Sequence, residues 1–403
     1  MTWDRRDSMG DGMGPGREHH VGPGIEYAAG PHGGERLRGV VKIGVLRPNA
    51  VGDFVFALPA MHALKQAYPQ AELVLLGKPW HASFLAERPG PVDGVVVMPQ
   101  VAGVGAPEDA CSDQRAIDDF VARMRAEAFD IVAQMVGGGR YSNPFALRLG
   151  SRLTIGARAQ GAAALDRWVD HVEPGNRRLA LLEIAALAGA RLAPMARELE
   201  VTVADREEAA RVLPPDRARA LVLLQPGSSD TRRCWPAERF AAVGDALAAA
   251  GALGAGNGTA GEVGLVRQVI AGMRHPAIDL AGALRLGGLC GLLERSVLLV
   301  SNDTGPLHLA LAIGTPAVGV FWHTNLVDGT PLRPSLLRAA VSVQTRCRTC
   351  GIDNRARRCA HQESFVDEVT VEQVRSLALG LLQDRWRKDR ASDGGTGSCG
   401  WIN

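Results

Sequence analysis

The stretch VLLVSNDTGPLHLALAIGTPAVGVF, Val297 to Phe321, decides the fold. Val297 to Val300 is a short, β-branched apolar run of the kind that makes a buried parallel strand. Ser301-Asn302-Asp303-Thr304-Gly305-Pro306 is a turn that ends by starting a helix. Asp303 or Thr304 suits the N-cap and Pro306 suits the first helical turn. Leu307, Leu309, Ala310, Leu311 and Ile313 make that helix apolar almost all round, which predicts burial. Gly314 stops it, and Pro316 to Phe321 is the next strand. The unit is strand–turn–helix–strand, with the helix N-terminus opening at the strand's carboxyl end, where open parallel sheets bind ligands. Free N–H groups and the helix dipole favour an anion there, such as a phosphate. Asp303 and His308 are the polar residues near that mouth.

Working outward, the same alternation recurs on both sides. Val41 to Leu46 reads as a first buried strand, followed by the loop Arg47 to Asp53 and a helix from Phe54 to Tyr68. Gly52 leaves room for a ligand to approach the backbone, and Asp53 falls where a carboxylate caps a helix. Further strands read at 71–76, 92–98, 131–136 and 153–156, and helices at 80–88, 117–128 and 177–188. Residues 101–113 read as a surface loop. Gly137 to Asn143 reads either as the wall of a pocket or as a tight turn. Prolines and charges cluster between 189 and 218, which puts a domain boundary near 205. A second α/β series follows, with a strand at 221–224, the loop Gln225 to Asp230, and helices at 240–250 and 285–295. Residues 1–39 and 388–403 lack hydrophobic periodicity and read as disordered tails. Two Rossmann-like α/β domains, 40–205 and 206–387, are therefore expected to face each other across a cleft.

Composition narrows the function. The 403 residues are 46% hydrophobic and 22% charged, which suits two globular domains, and the net charge of +2 marks no nucleic-acid binder. Three Tyr and nine Phe also argue against base-stacking platforms. No run is long enough to span a membrane and no apolar secretion signal opens the chain, so the expected location is the cytoplasm. Seven cysteines, an odd number, fit a reducing compartment better than a disulfide framework.

Three stretches together resemble glycosyltransferase family nine, the heptosyltransferase-like enzymes of bacterial cell-surface polysaccharide synthesis. The first is Arg47 to Asp53 with Leu58-Pro59-Ala60. The second is Pro226-Gly227-Ser228-Ser229 with Arg233-Cys234-Trp235-Pro236 and Phe240. The third is Asp303 to Ala310. Their order and spacing fit from about 41 to 375. The resemblance implies a GT-B fold, with an acceptor-side first domain and a second domain that binds a nucleotide-diphosphate sugar. It also implies inversion at the anomeric carbon without a metal or other cofactor. The acceptor would be a glycan or lipid-linked molecule such as lipopolysaccharide core, with peripheral contact at the inner membrane and no nucleic acid. By the same resemblance, Asp53 is the catalytic base and Arg233, or Arg232 one position earlier, offsets the charge of the leaving diphosphate. Gly52, Ser228, Thr304 and Gly305 lie in its ligand-binding loops, and Glu262 holds the nucleotide ribose. Asp303 is expected to cap its helix or hold a sugar hydroxyl, and His308 to touch the donor. Trp235-Pro236 reads as packing and a helix start. The closing helix, 369–385, is expected to cross back to the first domain, as such helices often do in this fold.

One segment departs from that pattern. Ahead of Glu262 runs Gly251-Ala252-Leu253-Gly254-Ala255-Gly256-Asn257-Gly258, with Gly and Asn where a strand wants Val, Leu or Ile. Glycine weakens a strand interior, so a loosened donor domain is expected. It leaves room for a non-catalytic nucleotide- or glycan-binding relative, and a nucleotide-sugar epimerase is the other alternative. A dinucleotide-binding reading of GAGNG fails on spacing. Near the end, the loop 346–361 carries Cys347, Cys350, Cys359 and His361 among Arg346, Arg348, Arg355, Arg357 and Arg358. Plain free thiols are the first expectation, with a tetrahedral zinc site or a reducible disulfide as alternatives. The arginines face either solvent or anionic lipid headgroups.

Overall fold

The computed structural model describes residues 34–213, 219–355 and 357–393, with side chains through 387. The first domain contains β1 (Lys42–Leu46), α1 (Val51–Ala67), β2 (Glu72–Gly77), α2 (Pro79–Leu85), β3 (Gly94–Val97), the paired two-residue strands β4 (Val101–Ala102) and β5 (Gly105–Ala106), α3 (Gln114–Ala126), β6 (Ile131–Gln134), α4 (Ser142–Arg148), β7 (Leu153–Arg158), β8 (Arg167–Asp170) and α5 (Arg177–Ala186). The helix α6 (Val203–Val212) leads into the second domain. There follow β9 (Leu221–Gln225), α7 (Ala237–Ala249), β10 (Leu253–Gly256), α8 (Val263–Gly272), β11 (Ala277–Asp279), α9 (Leu286–Arg295), β12 (Leu298–Asn302), α10 (Gly305–Ile313), β13 (Ala317–Trp322), α11 (His323–Gly329), β14 (Leu337–Ser342) and α12 (Val371–Asp393).

Each domain carries a six-stranded sheet, ordered β3-β2-β1-β6-β7-β8 in the first and β11-β10-β9-β12-β13-β14 in the second. Every neighbouring pair is parallel. Both sheets are doubly wound, and the order reverses between β1 and β6 and between β9 and β12. The loops leaving those strands therefore diverge to frame a crevice in each domain. Side chains tie the crevice walls together. Arg47, after β1, donates to the carbonyl of Met135, after β6. Asn302, ending β12, donates to the Pro226 carbonyl after β9 at 2.7 Å and accepts from the Trp235 N–H at 3.0 Å.

Several expectations are corrected. The Gly-rich stretch forms a regular strand: β10 is buried along its length and registers Leu253 to Gly256 against Leu221 to Leu224. Its glycines let α8 pack close, since a Cβ on Gly256 would lie 2.7 Å from the Val266 side chain. Helix α6 crosses the boundary drawn at 205 and packs on α9, so the linker falls before Val203. Helix α12 stays on the second domain. Val374, Ala378, Leu381 and Leu382 join the cluster of Trp235, Phe240, Val300 and Val318. It also runs to Asp393, past the limit of 388 set for the tail. Residues 34–39 are tied to the first domain by bonds such as Gly34 N–H to the Ala186 carbonyl and Leu37 N–H to the Tyr68 hydroxyl. The rest of both expected tails, 1–33 and 394–403, lies outside the described residues. No helix among the described residues is long and apolar enough to cross a membrane.

Candidate active site

The two domains meet where two helices begin. Helix α1 starts after Ala50 and helix α10 after Thr304, and no side chain caps either N-terminus. The two starts approach so closely that a Cβ on Gly305 would lie 3.2 Å from the Val51 Cβ, and one on Gly52 would lie 3.8 Å from the Gly305 Cα. Two helix N-termini, each with unsatisfied N–H groups and a positive dipole end, thus converge on one cleft. An anion is the ligand such a junction favours.

Asp53 stands in the first turn of α1, about a quarter exposed. It does not cap the helix. Its Oδ1 is paired with Arg47 Nη2 at 3.2 Å and Arg177 Nη1 at 3.3 Å. Arg47 is buried, and burial pulls its pKa down to about 10 despite the Asp53 charge beside it. Arg177 opens α5, whose N-cap is Asn176, and its other nitrogen reaches Asp328 of α11 at 3.4 Å. It therefore bridges the domains directly beside Asp53. Asp53 Oδ2 takes no partner among the described residues, so a carboxylate oxygen remains available for an acceptor proton.

On the second domain, Asp303 is buried and does not cap α10. Its Oδ1 meets His308 Nε2 at 3.0 Å, and its Oδ2 accepts from Asn325 Nδ2 at 2.7 Å and Arg233 Nη1 at 3.1 Å. Burial disfavours the Asp303 charge, but His308, Asn325 and Arg233 outweigh it and hold the carboxyl below its ordinary range. Burial also lowers the His308 pKa more than Asp303 raises it. The neutral ring then donates from Nε2 to the carboxylate. His308 packs between Phe56, 4.6 Å away ring to ring, and Gly329, so it acts on the site through Asp303. Arg233 keeps a buried Nε without a partner among the described residues. It is a cation aimed by one carboxylate with a donor to spare.

The remaining residues separate clearly. Arg232 is committed to Asp230 at 2.6 Å and to Asn354 at 3.1 Å, so Arg233 alone of the pair joins the Asp303 cluster. Ser228 accepts from the Asp230 N–H at 3.4 Å. Glu262 closes a capping box on Thr259, accepting its N–H at 2.7 Å and its hydroxyl at 3.0 Å. Its carboxylate lies over the loop after β9, where a Cβ on Gly227 would fall 1.8 Å from Oε1, so a larger residue there would displace the Glu262 carboxylate. Trp235 is fully buried and its Nε1 donates to the Val369 carbonyl at 2.8 Å, the packing role expected of it. Arg177, Asn325 and Asp328 carry no sequence signal. Each matters only once the two domains are placed together.

The first domain supplies an open groove beside this junction, lined by Pro48, Gly77, Lys78, Met98, Gln100 and Val104. The expected surface loop 101–113 is one wall of it, through β4 and β5. At Gly139 the chain makes a tight turn with φ of +87°, and a Cβ there would strike Asn143. In the Cys-rich loop, Arg348 pairs with Asp367 and Arg355 with Asp353, while Arg357 and Arg358 are exposed.

Comparison with known proteins agrees with this arrangement. The model of glycosyltransferase family 9 (heptosyltransferase) matches residues 118–357. The lipopolysaccharide core heptosyltransferase OpsX of Haemophilus influenzae is 23% identical over 299 residues, 71% of this chain and 80% of that protein. The structure of a glycosyl transferase family 9 protein from Veillonella parvula superposes with a TM-score of 0.68 at 18% identity, covering 85% of this chain and 97% of that one. The Escherichia coli ADP-heptose lipopolysaccharide heptosyltransferase II gives a TM-score of 0.66 at 17% identity over 86% of this chain and 100% of that one. The fold is GT-B.

Proposed function

From the membership of this chain in glycosyltransferase family 9, the heptosyltransferases, which makes it a glycosyltransferase, we propose that it moves a heptose-like sugar from a nucleotide-diphosphate donor to a lipopolysaccharide-core acceptor. The names of OpsX and heptosyltransferase II supply the sugar and acceptor class. Asp53 takes the acceptor hydroxyl proton as that oxygen attacks the anomeric carbon. The new C–O bond forms on the face opposite the leaving group, the bond to the β-phosphate oxygen breaks, and the configuration inverts. The departing diphosphate carries negative charge. The N-terminus of α10 and the guanidinium of Arg233 stabilise it in place of a metal ion. Asp303 aims Arg233, Asn325 and His308 hold Asp303, and Arg177 holds Asp53. Glu262, beyond the end of β10, would meet the ribose.

The observation that carries this reading is the convergence of α1 and α10, which brings the turn bearing Asp53 against the phosphate-type loop at 304–305. The groove beside Pro48 is the proposed acceptor seat, and Lys78 suits an anionic acceptor there. A lipid-linked acceptor would bring the enzyme to the inner face of the membrane, with the exposed Arg357 and Arg358 meeting headgroups.

The test is transfer from ADP-heptose to a heptose-deficient core acceptor, with magnesium withheld and the product's anomeric configuration read by NMR. Undiminished transfer with inversion supports the reading. Retention, or an absolute requirement for magnesium, overturns the mechanism, and release of an altered sugar without acceptor would identify an epimerase.

A further inference from the structure

The loop between β14 and α12 runs from Val343 to Thr370 with no helix or strand among its described residues, unusually long for an irregular connection in a compact domain. Val366 and Val369 anchor its far end in the second domain's core, but the Cys-bearing part has little apolar support: among the described residues Cys347, Cys359 and Phe365 form a separate cluster backed by Trp322 and Ile352. A core of that size needs a staple.

Four potential metal ligands supply one. Cys347, Cys350, Cys359 and His361, drawn from both arms of the loop, bring one ligand atom each to within 4.8 Å of one another. Cys347 Sγ and His361 Nδ1 are 3.6 Å apart. A tetrahedral zinc with Zn–S bonds of about 2.3 Å separates its sulfurs by roughly 3.8 Å, so small side-chain adjustments complete the shell. The backbone is turned for this. Cys347 accepts from the Gly351 N–H at 2.8 Å and donates to the Ile352 carbonyl at 3.0 Å, which folds Cys347 and Cys350 back toward each other. A neighbouring group also attends the sulfur, since Asn354 Nδ2 donates to Cys359 Sγ at 3.4 Å. Such outer contacts orient metal-bound thiolates.

The geometry points to a structural metal site, in which Cys347, Cys350, Cys359 and His361 hold one thiolate-preferring divalent ion, zinc by the chemistry of the donor set. The ion stands apart from the proposed transfer chemistry and acts on the donor loop through the polypeptide. Asn354 accepts from Arg232 at 3.1 Å, the Phe365 N–H donates to the Arg232 carbonyl at 2.7 Å, and the Ser364 hydroxyl donates to the Cys234 carbonyl at 2.9 Å. These bonds clasp both neighbours of Arg233. Metal binding would thereby order the segment that presents the diphosphate-facing cation.

The test is elemental analysis of the purified full chain, with cobalt substitution as a second readout. The expected result is one metal ion per chain, retained in Cys111→Ser and lost in the Cys347→Ser/Cys359→Ser pair. Cobalt should give the visible bands of a tetrahedral thiolate complex. If the double variant does not fold, chelation of the wild-type chain serves instead, and should lower both its melting temperature and its affinity for ADP. A wild-type chain that folds with no bound metal, and takes up neither zinc nor cobalt, overturns the site. None of these measurements requires turnover, so the site can fail while the transferase reading stands.

Discussion

Gly52 and Gly305 meet across the cleft, each at the first turn of a helix from a different domain, and at Gly305 the approach is tighter than an ordinary side-chain contact. A Cβ on Gly305 would lie 3.2 Å from the Val51 Cβ and 3.6 Å from the Gly52 nitrogen. Contacts that tight leave only a few tenths of an ångström of give. Gly305→Ala should therefore lower kcat/KM, and Gly305→Val should lower it further, with the melting temperature of the isolated protein changed less than activity. Full activity in Gly305→Val would mean that catalysis does not need this closure.

Arg233 is aimed by Asp303 and retains a free Nε. Hydrogen bonds to charged groups are worth about 1.5–3 kcal/mol. Arg233→Ala should thus weaken ADP binding by about 10- to 100-fold in calorimetry, and Arg233→Lys should recover only part, because an ammonium lacks the planar fork. Asn325→Ala, which removes one of three partners of Asp303, should cost less. Arg232→Ala with the larger loss would reverse the assignment of the two arginines.

Acid sensitivity should come from two buried histidines. His81 is fully buried, accepts the Lys78 N–H at Nδ1, and has its pKa pulled down to about 4, chiefly by burial. His308 is shifted in the same direction by the same cause. Both are neutral in the folded chain and protonate more readily when unfolded. The contribution of His81 is therefore complete above about pH 6.5 and is lost as pH falls toward 4, and that of His308 is lost in the same direction. Denaturant melts at pH 7.5, 6 and 5 should show falling stability, and His81→Gln should flatten that slope. An unchanged slope in His81→Gln would remove His81 from the explanation.

Trp235 fills the second domain's core with its N–H satisfied. Trp235→Ala should destabilise the protein by about 3–5 kcal/mol. It should also loosen the adjacent Arg233 segment, so ADP affinity should fall even under conditions where the variant remains folded.

Much of this was written in local sequence. The strand–turn–helix unit at 297–321 forms as β12, α10 and β13, because a continuous apolar run and a Pro-started helix leave few other solutions. What escaped depends on distant packing. Asp53 looked like a cap, yet its partners Arg47 and Arg177 claim it, and Arg177 is recruited only when α5 meets α11. Asp303 also looked like a cap, and His308 one turn on together with Asn325 and Arg233 from other segments occupy its oxygens instead. Residues 251–258 looked too glycine-rich for a strand. The cost of glycine is offset because its bare backbone lets Val266 and Ile270 pack directly on β10. The cysteines and His361 are neighbours in space for a reason no common spacing announces, since two arms of one loop fold together.

The most direct measurement is Asp53→Asn, assayed for heptosyl transfer and for ADP binding on the same preparation. The substitution keeps the shape of the side chain and removes its ability to accept a proton. The expected result is a loss of turnover of about 10²- to 10⁴-fold with ADP affinity unchanged within error. Turnover retained in Asp53→Asn, or transfer and ADP binding lost together, would contradict the assignment of Asp53 as the base.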